Sequence, residues 1–206
     1  MVRRRADGIG LAAGLIIFAG CGLIARSGAV SDPERSVFEA INHLTDALQP
    51  VGVGVQFLGV LVVGPLVAAV ALIWRRPRLA VAALAVTALK LVAERVVWRM
   101  VQRSRPGVTE PEAIVRAGTA RTGAAFVSGH VILVTGLAVA TTPYLSGRWR
   151  IVPWAIVALV SFARIYLGAH NPIDVVGGLG LGYAIGSLVN LVLGVPTGRS
   201  GSTEPA

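Results

Sequence analysis

Six long apolar runs, at residues 9–24, 51–74, 79–100, 126–145, 151–168 and 172–193, are separated by short polar clusters and leave this chain few possible folds. A helix needs about 20 predominantly apolar residues to cross a hydrocarbon core of about 30 Å. Inside that core every backbone N–H and C=O must find its partner within the segment, which a helix does by itself. The chain therefore reads as an all-α, polytopic membrane protein with six transmembrane helices. Between the first two runs, residues 31–48 are polar, with Phe38, Ile41 and Leu44 at helical spacing, and predict a short interfacial helix. Composition agrees: 54% of residues are hydrophobic and 14% charged, beyond soluble norms. One membrane domain over residues 1–196 is expected, followed by a Gly/Ser/Pro-rich disordered cytoplasmic tail at 197–206.

The net charge of +9 rests on arginine, since Lys90 is the only lysine. Nucleic-acid binding, the usual partner of so basic a chain, is excluded because the charges sit in short clusters between apolar runs rather than on one face. Cys21 is the single cysteine, so neither an intrachain disulfide nor a cysteine metal site is available. With the N-terminus inside, Arg3, Arg4, Arg5, Arg75, Arg76, Arg78, Arg148, Arg150 and Arg199 are cytoplasmic, as the positive-inside rule asks. Both termini are then cytoplasmic, in a cell membrane. Arg103, Arg105, Arg116, Arg121 and Arg164 fall outside or at the outer boundary, against the rule, and call for an anionic partner there.

Three polar clusters emerge on that outer face. The densest runs from Arg164 through His170 to Asp174. Asn171 and Pro172 have the character of an N-cap and first helical residue, which puts Asp174 in the first turn of the last helix. From there its carboxylate can reach back to His170, fix the imidazole tautomer and free the other nitrogen to attack. Arg164 offers a permanent fork of donors suited to phosphate. Ser128-Gly129-His130 open the fourth run, where backbone N–H groups, a hydroxyl and a glycine make an anion site. His130 lies one turn in, placed to give a proton. The third cluster is Arg103-Ser104-Arg105-Pro106. Two imidazoles, one carboxylate and several guanidiniums suit phosphoryl transfer through a phosphohistidine. A metal site would ask for more carboxylate or thiolate ligands, so no metal or cofactor is expected.

These clusters resemble the three signatures of the type 2 phosphatidic acid phosphatase superfamily, the membrane lipid phosphate phosphatases. Arg105-Pro106 match the end of its Lys-x6-Arg-Pro signature and Ser128-Gly129-His130 its Pro-Ser-Gly-His. Arg164, His170 and Asp174 match its Ser-Arg-x5-His-x3-Asp. The resemblance implies that His170 is the nucleophile, Asp174 its orienting partner and His130 the acid that protonates the leaving oxygen. It also implies that Arg105, Arg164, Ser128 and the Gly129 N–H hold the phosphoryl oxygens. Arg103 and Arg99 are further candidates for that contact. The chain departs from the pattern at Trp98 (family lysine), Val127 (proline) and Ala163 (serine). Arg95 or Arg99 could replace the lost cation.

The expected activity is hydrolysis of a phosphomonoester or diphosphate on a prenyl or glycerophospholipid at the extracytoplasmic face. Phosphotransfer from a lipid diphosphate to another acceptor, and lipid-phosphate binding or transport without catalysis, are the two alternatives. The partners are a lipid phosphate and the bilayer, not nucleic acid, and nothing in the pattern specifies an oligomer.

Overall fold

The computed structural model describes residues 1–196, and its regular secondary structure is helical, with only two isolated β-bridges, Val2 to Val195 and Ser104 to Ala124, among the described residues. The tail expected at 197–206 lies outside them. The helices are α1 (Arg5–Ala25), α2 (Asp32–Asn42), α3 (Gln49–Gln56), α4 (Val63–Ile73), α5 (Pro77–Met100), α6 (Pro106–Thr109), α7 (Gly129–Thr141), α8 (Ile151–Tyr166) and α9 (Pro172–Leu193).

Segments centred on α1, α8 and α9 are long and apolar enough to cross a membrane. A fourth crossing exists if the segment Asp46–Gly59 and α4 count as one span. That pair corrects the expectation of a continuous helix over 51–74, because it bends by 64°. Pro65 explains where the second half starts. It has no N–H to give to the Leu61 carbonyl and its ring would crowd that oxygen, so it is accommodated in the first turn of α4. The other two expected spans, α5 and α7, fall short. α5 carries Lys90, Glu94, Arg95 and Arg99 in its second half, and α7 with its 3-10 extension covers only Gly129–Tyr144.

α9 is the hub, packed between α1 and α7 on two faces of small residues. On one face a Cβ at Gly180 would lie 2.8 Å from the Gly14 carbonyl oxygen. On the other, a Cβ at Gly182 would lie 2.5 Å from the Ile132 carbonyl oxygen. Backbones that close gain dispersion contacts no larger residue would allow. These glycines are thus a packing device, and they press the start of α7 onto α9, with Gly178 beside the Ser128 carbonyl. α2 folds against α8 and α9 through the fully buried Phe38, which clusters with Ile165 and Val175.

Candidate active site

The corner between α8 and α9 follows from local rules. Gly168 has φ +73°, and the Gly168 and Ala169 N–H groups donate to the Ile165 and Arg164 carbonyls at 2.9 and 3.0 Å. This is a Schellman cap, which needs the left-handed conformation glycine adopts without strain. The His170 N–H also donates to the Arg164 carbonyl, at 3.2 Å. Arg164 and His170 are therefore set by one hydrogen-bonded turn. Asn171 and Pro172 then start α9, with Asp174 in its first turn, as their chemistry requires.

Backbone bonds knit the three clusters together. The Ala125 N–H donates to the Arg103 carbonyl at 2.8 Å, beside the bridge between Ser104 and Ala124. The Ser128 N–H donates to the Asp174 carbonyl at 3.2 Å, tying the start of α7 to the first turn of α9. Arg105 Nη1 donates to the Ala169 carbonyl at 3.2 Å. Residues from all three sequence clusters thus meet around His170.

His170 is held differently from the sequence expectation. Its Nδ1 lies 2.9 Å from the Ala125 carbonyl and 3.9 Å from Asp174 Oδ2, beyond hydrogen-bond range. A carbonyl can only accept, so Nδ1 carries the proton and Nε2 keeps its lone pair. Burial first, then the Arg164 and Arg105 guanidiniums and His130, hold the His170 pKa well below its ordinary 6.5. The ring is a neutral base at neutral pH. Asp174 is spent elsewhere: Oδ2 accepts the Asn171 N–H at 2.9 Å and Oδ1 accepts Arg103 Nη1 at 3.2 Å. Its carboxylate faces His170 without a direct bond.

The arginines sort by partner. Arg103, nearly fully buried, pairs with Glu34 at 2.6 Å and with Asp174. Arg116 pairs with Asp46 and lies over the Tyr166 ring. Arg105 and Arg164 have only neutral acceptors among the described residues, Ala169 O for one and Gln56 Oε1 for the other. The Nε of each is buried without a partner, and so is Ser128 Oγ, although Ser128 stands at the N-cap position of α7. Each buried, unpaired donor costs about 1–3 kcal/mol. A hydroxyl at a helix N-terminus and two guanidiniums without a carboxylate partner have the chemistry that suits a bound anion. The ring of His130 makes no hydrogen bond among the described residues and packs on Gly59.

Two sequence candidates are not free for an anion. Arg103 is taken up by Glu34 and Asp174, and Arg99 is exposed, as is Arg95. The cation that α5 brings to the start of α7 is Lys90, paired with Glu94 at 2.7 Å. A Cβ at Gly129 would overlap the Glu94 carboxylate and lie 2.9 Å from Lys90 Nζ, so the glycine lets both ends of that pair approach the start of α7 and a larger residue would push them aside. Trp98, one turn beyond Glu94 on the same face, keeps its indole Nε1 buried and unpartnered. Sequence reading missed Glu34, Gln56 and the Ala125 carbonyl. Nothing local marks them, since each meets the site only across the fold. Among the described residues no group of three His, Cys, Asp or Glu side chains is arranged to hold a metal.

A model of the PAP2 superfamily matches residues 78–195, more than half of the chain and all but the first residue of the segment from α5 to α9. The lipid A 4'-phosphatase of Porphyromonas gingivalis is 36% identical over 67 residues. That match covers 31% of this chain and spans only 28% of the length of that relative. The fold is similar to that of LpxE of Aquifex aeolicus, with TM-score 0.71 and 19% identity over 78% of this chain and 98% of that one. It is also similar to a transmembrane PAP2-type phosphatidylglycerolphosphate phosphatase from Bacillus subtilis. There the TM-score is 0.68, with 23% identity over 86% of this chain and 94% of the other.

Proposed function

The chain belongs to the PAP2 superfamily, and from that premise we propose that it is an integral membrane phosphatase acting on a lipid phosphate or diphosphate at the extracytoplasmic face. The observation that carries the reading is the juxtaposition of a neutral His170, with Nε2 free, and the unpaired donors of Arg105, Arg164 and Ser128. Phosphoryl transfer needs little covalent help from a protein, but it does need in-line placement and fixed positive charge.

In this mechanism Arg105, Arg164, Ser128 Oγ and the Gly129 N–H hold the non-bridging oxygens. His170 Nε2 attacks phosphorus, the P–N bond forms as the ester P–O bond breaks, and His130 gives its proton to the departing oxygen. His130 then takes a proton from water, whose oxygen attacks phosphorus and breaks the P–N bond, releasing phosphate and restoring both histidines. The Ala125 carbonyl and the Asp174 charge stabilise the positive imidazole between the two steps. The substrate carries a diphosphate or phosphomonoester at the interface and a prenyl or acyl chain in the bilayer, a class that includes the lipid substrates named for the two phosphatases above.

Purified protein should release phosphate from a panel of such lipids in excess chelator. Activity that vanishes with chelator and returns with magnesium or zinc would remove the phosphohistidine mechanism. Phosphate appearing on an added acceptor rather than in solution would make the protein a transferase, and binding without either would make it a carrier.

The same proposal takes all six apolar segments as crossings, with both termini cytoplasmic. Reporter fusions at Gly147 and the C-terminus should then read cytoplasmic, and one in the 107–123 loop extracytoplasmic. A cytoplasmic loop would put the chemistry on the opposite face.

A further inference from the structure

Glu34 lies on α2, outside the segment matched by the superfamily model, yet it is 6% exposed and joined to the site by two short bonds. Its Oε2 accepts Arg103 Nη2 at 2.6 Å and its Oε1 accepts the Ile173 N–H at 3.0 Å, in the first turn of α9. Arg103 in turn gives Nη1 to Asp174 Oδ1 and shares Nη2 with the Ala29 carbonyl. The order Glu34, Arg103, Asp174, His170 alternates in charge. Two carboxylates share one guanidinium, so the three charged groups beside His170 sum to minus one. With Arg103 and Asp174 alone they would cancel, and the imidazolium formed on phosphorylation would lose its counter-charge.

Resting on the phosphohistidine reading above, we propose that Glu34 and Arg103 are positioning residues of the His170 nucleophile. Glu34 keeps the Asp174 charge available to His170 and, through Ile173, locks the turn that carries Asp174. α2 is thereby part of the catalytic assembly rather than a surface helix. The other groups facing these residues are Arg164, Arg105 and His130 at His170, and the buried Cys21 near Glu34 and Asp174.

The test uses the full chain in detergent micelles with dioctanoyl phosphatidic acid, assayed from about pH 5 to 8, where imidazole and perturbed carboxyl groups titrate. Glu34→Gln should lower kcat about tenfold or more, the size of one charge-assisted hydrogen bond lost at the transition state, with KM nearly unchanged. It removes a negative charge, so protonation is disfavoured and the acid limb of kcat should move to lower pH. The double variant Glu34→Gln/Arg103→Gln keeps the sum at minus one. It removes the positive charge bonded to Asp174 together with a negative charge one step farther out, so the field at His170 becomes more negative and the acid limb should move to higher pH. This pair leaves no unmatched charge between the two positions, so it serves even if the single variant does not fold. Folded variants with native acid limbs would overturn the inference, whether or not their rates fall uniformly, because a purely structural anchor has no reason to shift a titration. His170→Asn, run alongside, separates the two levels. If it is dead while the acid limbs stay put, only the role of Glu34 and Arg103 fails. If it turns over, the phosphohistidine reading fails and takes this inference with it.

Discussion

His170→Ala is expected to abolish phosphate release, by about 10⁴-fold or more as for loss of other covalent nucleophiles, while lipid-phosphate binding survives. Binding rests on Arg105, Arg164 and the Ser128-Gly129 turn, none of which uses the imidazole for support. His130→Ala should behave differently. It removes the acid for the leaving oxygen, so the penalty should shrink for a substrate whose leaving group departs without a proton. An activated aryl phosphate, where it is accepted, should rescue His130→Ala and leave His170→Ala dead. The reverse pattern would exchange the roles of the two histidines.

Asp174→Asn is expected to lower kcat by about 10²–10³, less than the roughly 10⁴ that the same change costs in a serine protease. In that enzyme the aspartate also sets the histidine tautomer. Here the tautomer is set by the Ala125 carbonyl at 2.9 Å, and Asp174 stands 3.9 Å from the ring. What the variant loses is the negative charge and one of two accepted bonds, because an amide NH2 must face either Arg103 or the Asn171 N–H. A full 10⁴ loss would return tautomer control to Asp174, and an unchanged rate would remove its field from the mechanism.

Much of the site was legible because its elements are local. Asn171, Pro172 and Asp174 act through cap geometry that spans a few residues, so the start of α9 and the place of Asp174 could be read from sequence alone. The Lys90–Glu94 pair is local in the same sense, since residues four apart on a helix face each other. The phosphate assignments of Arg103 and Arg99 had no such basis. Both arginines sit near Arg105 in the chain, but helix exposure turns Arg99 outward and Glu34 draws Arg103 inward.

The sequence by itself determined the class of the molecule and the chemistry of its corner, because apolar length and capping rules operate over one helix or one turn. The all-helical membrane chain, the start of α9 and the cluster of imidazole, carboxylate and guanidinium all come from that level. The tertiary structure alone decided which acceptor holds His170, which arginines stay free for an anion, and that α2 reaches the nucleophile. Those contacts join residues as far apart in the chain as Ala125 and His170, or Glu34 and Ile173. One of the acceptors is a backbone carbonyl, which every residue carries and no side chain announces. Such a group gains a role only when packing, here the glycine faces that press α7 onto α9, brings it within hydrogen-bond distance of a particular ring.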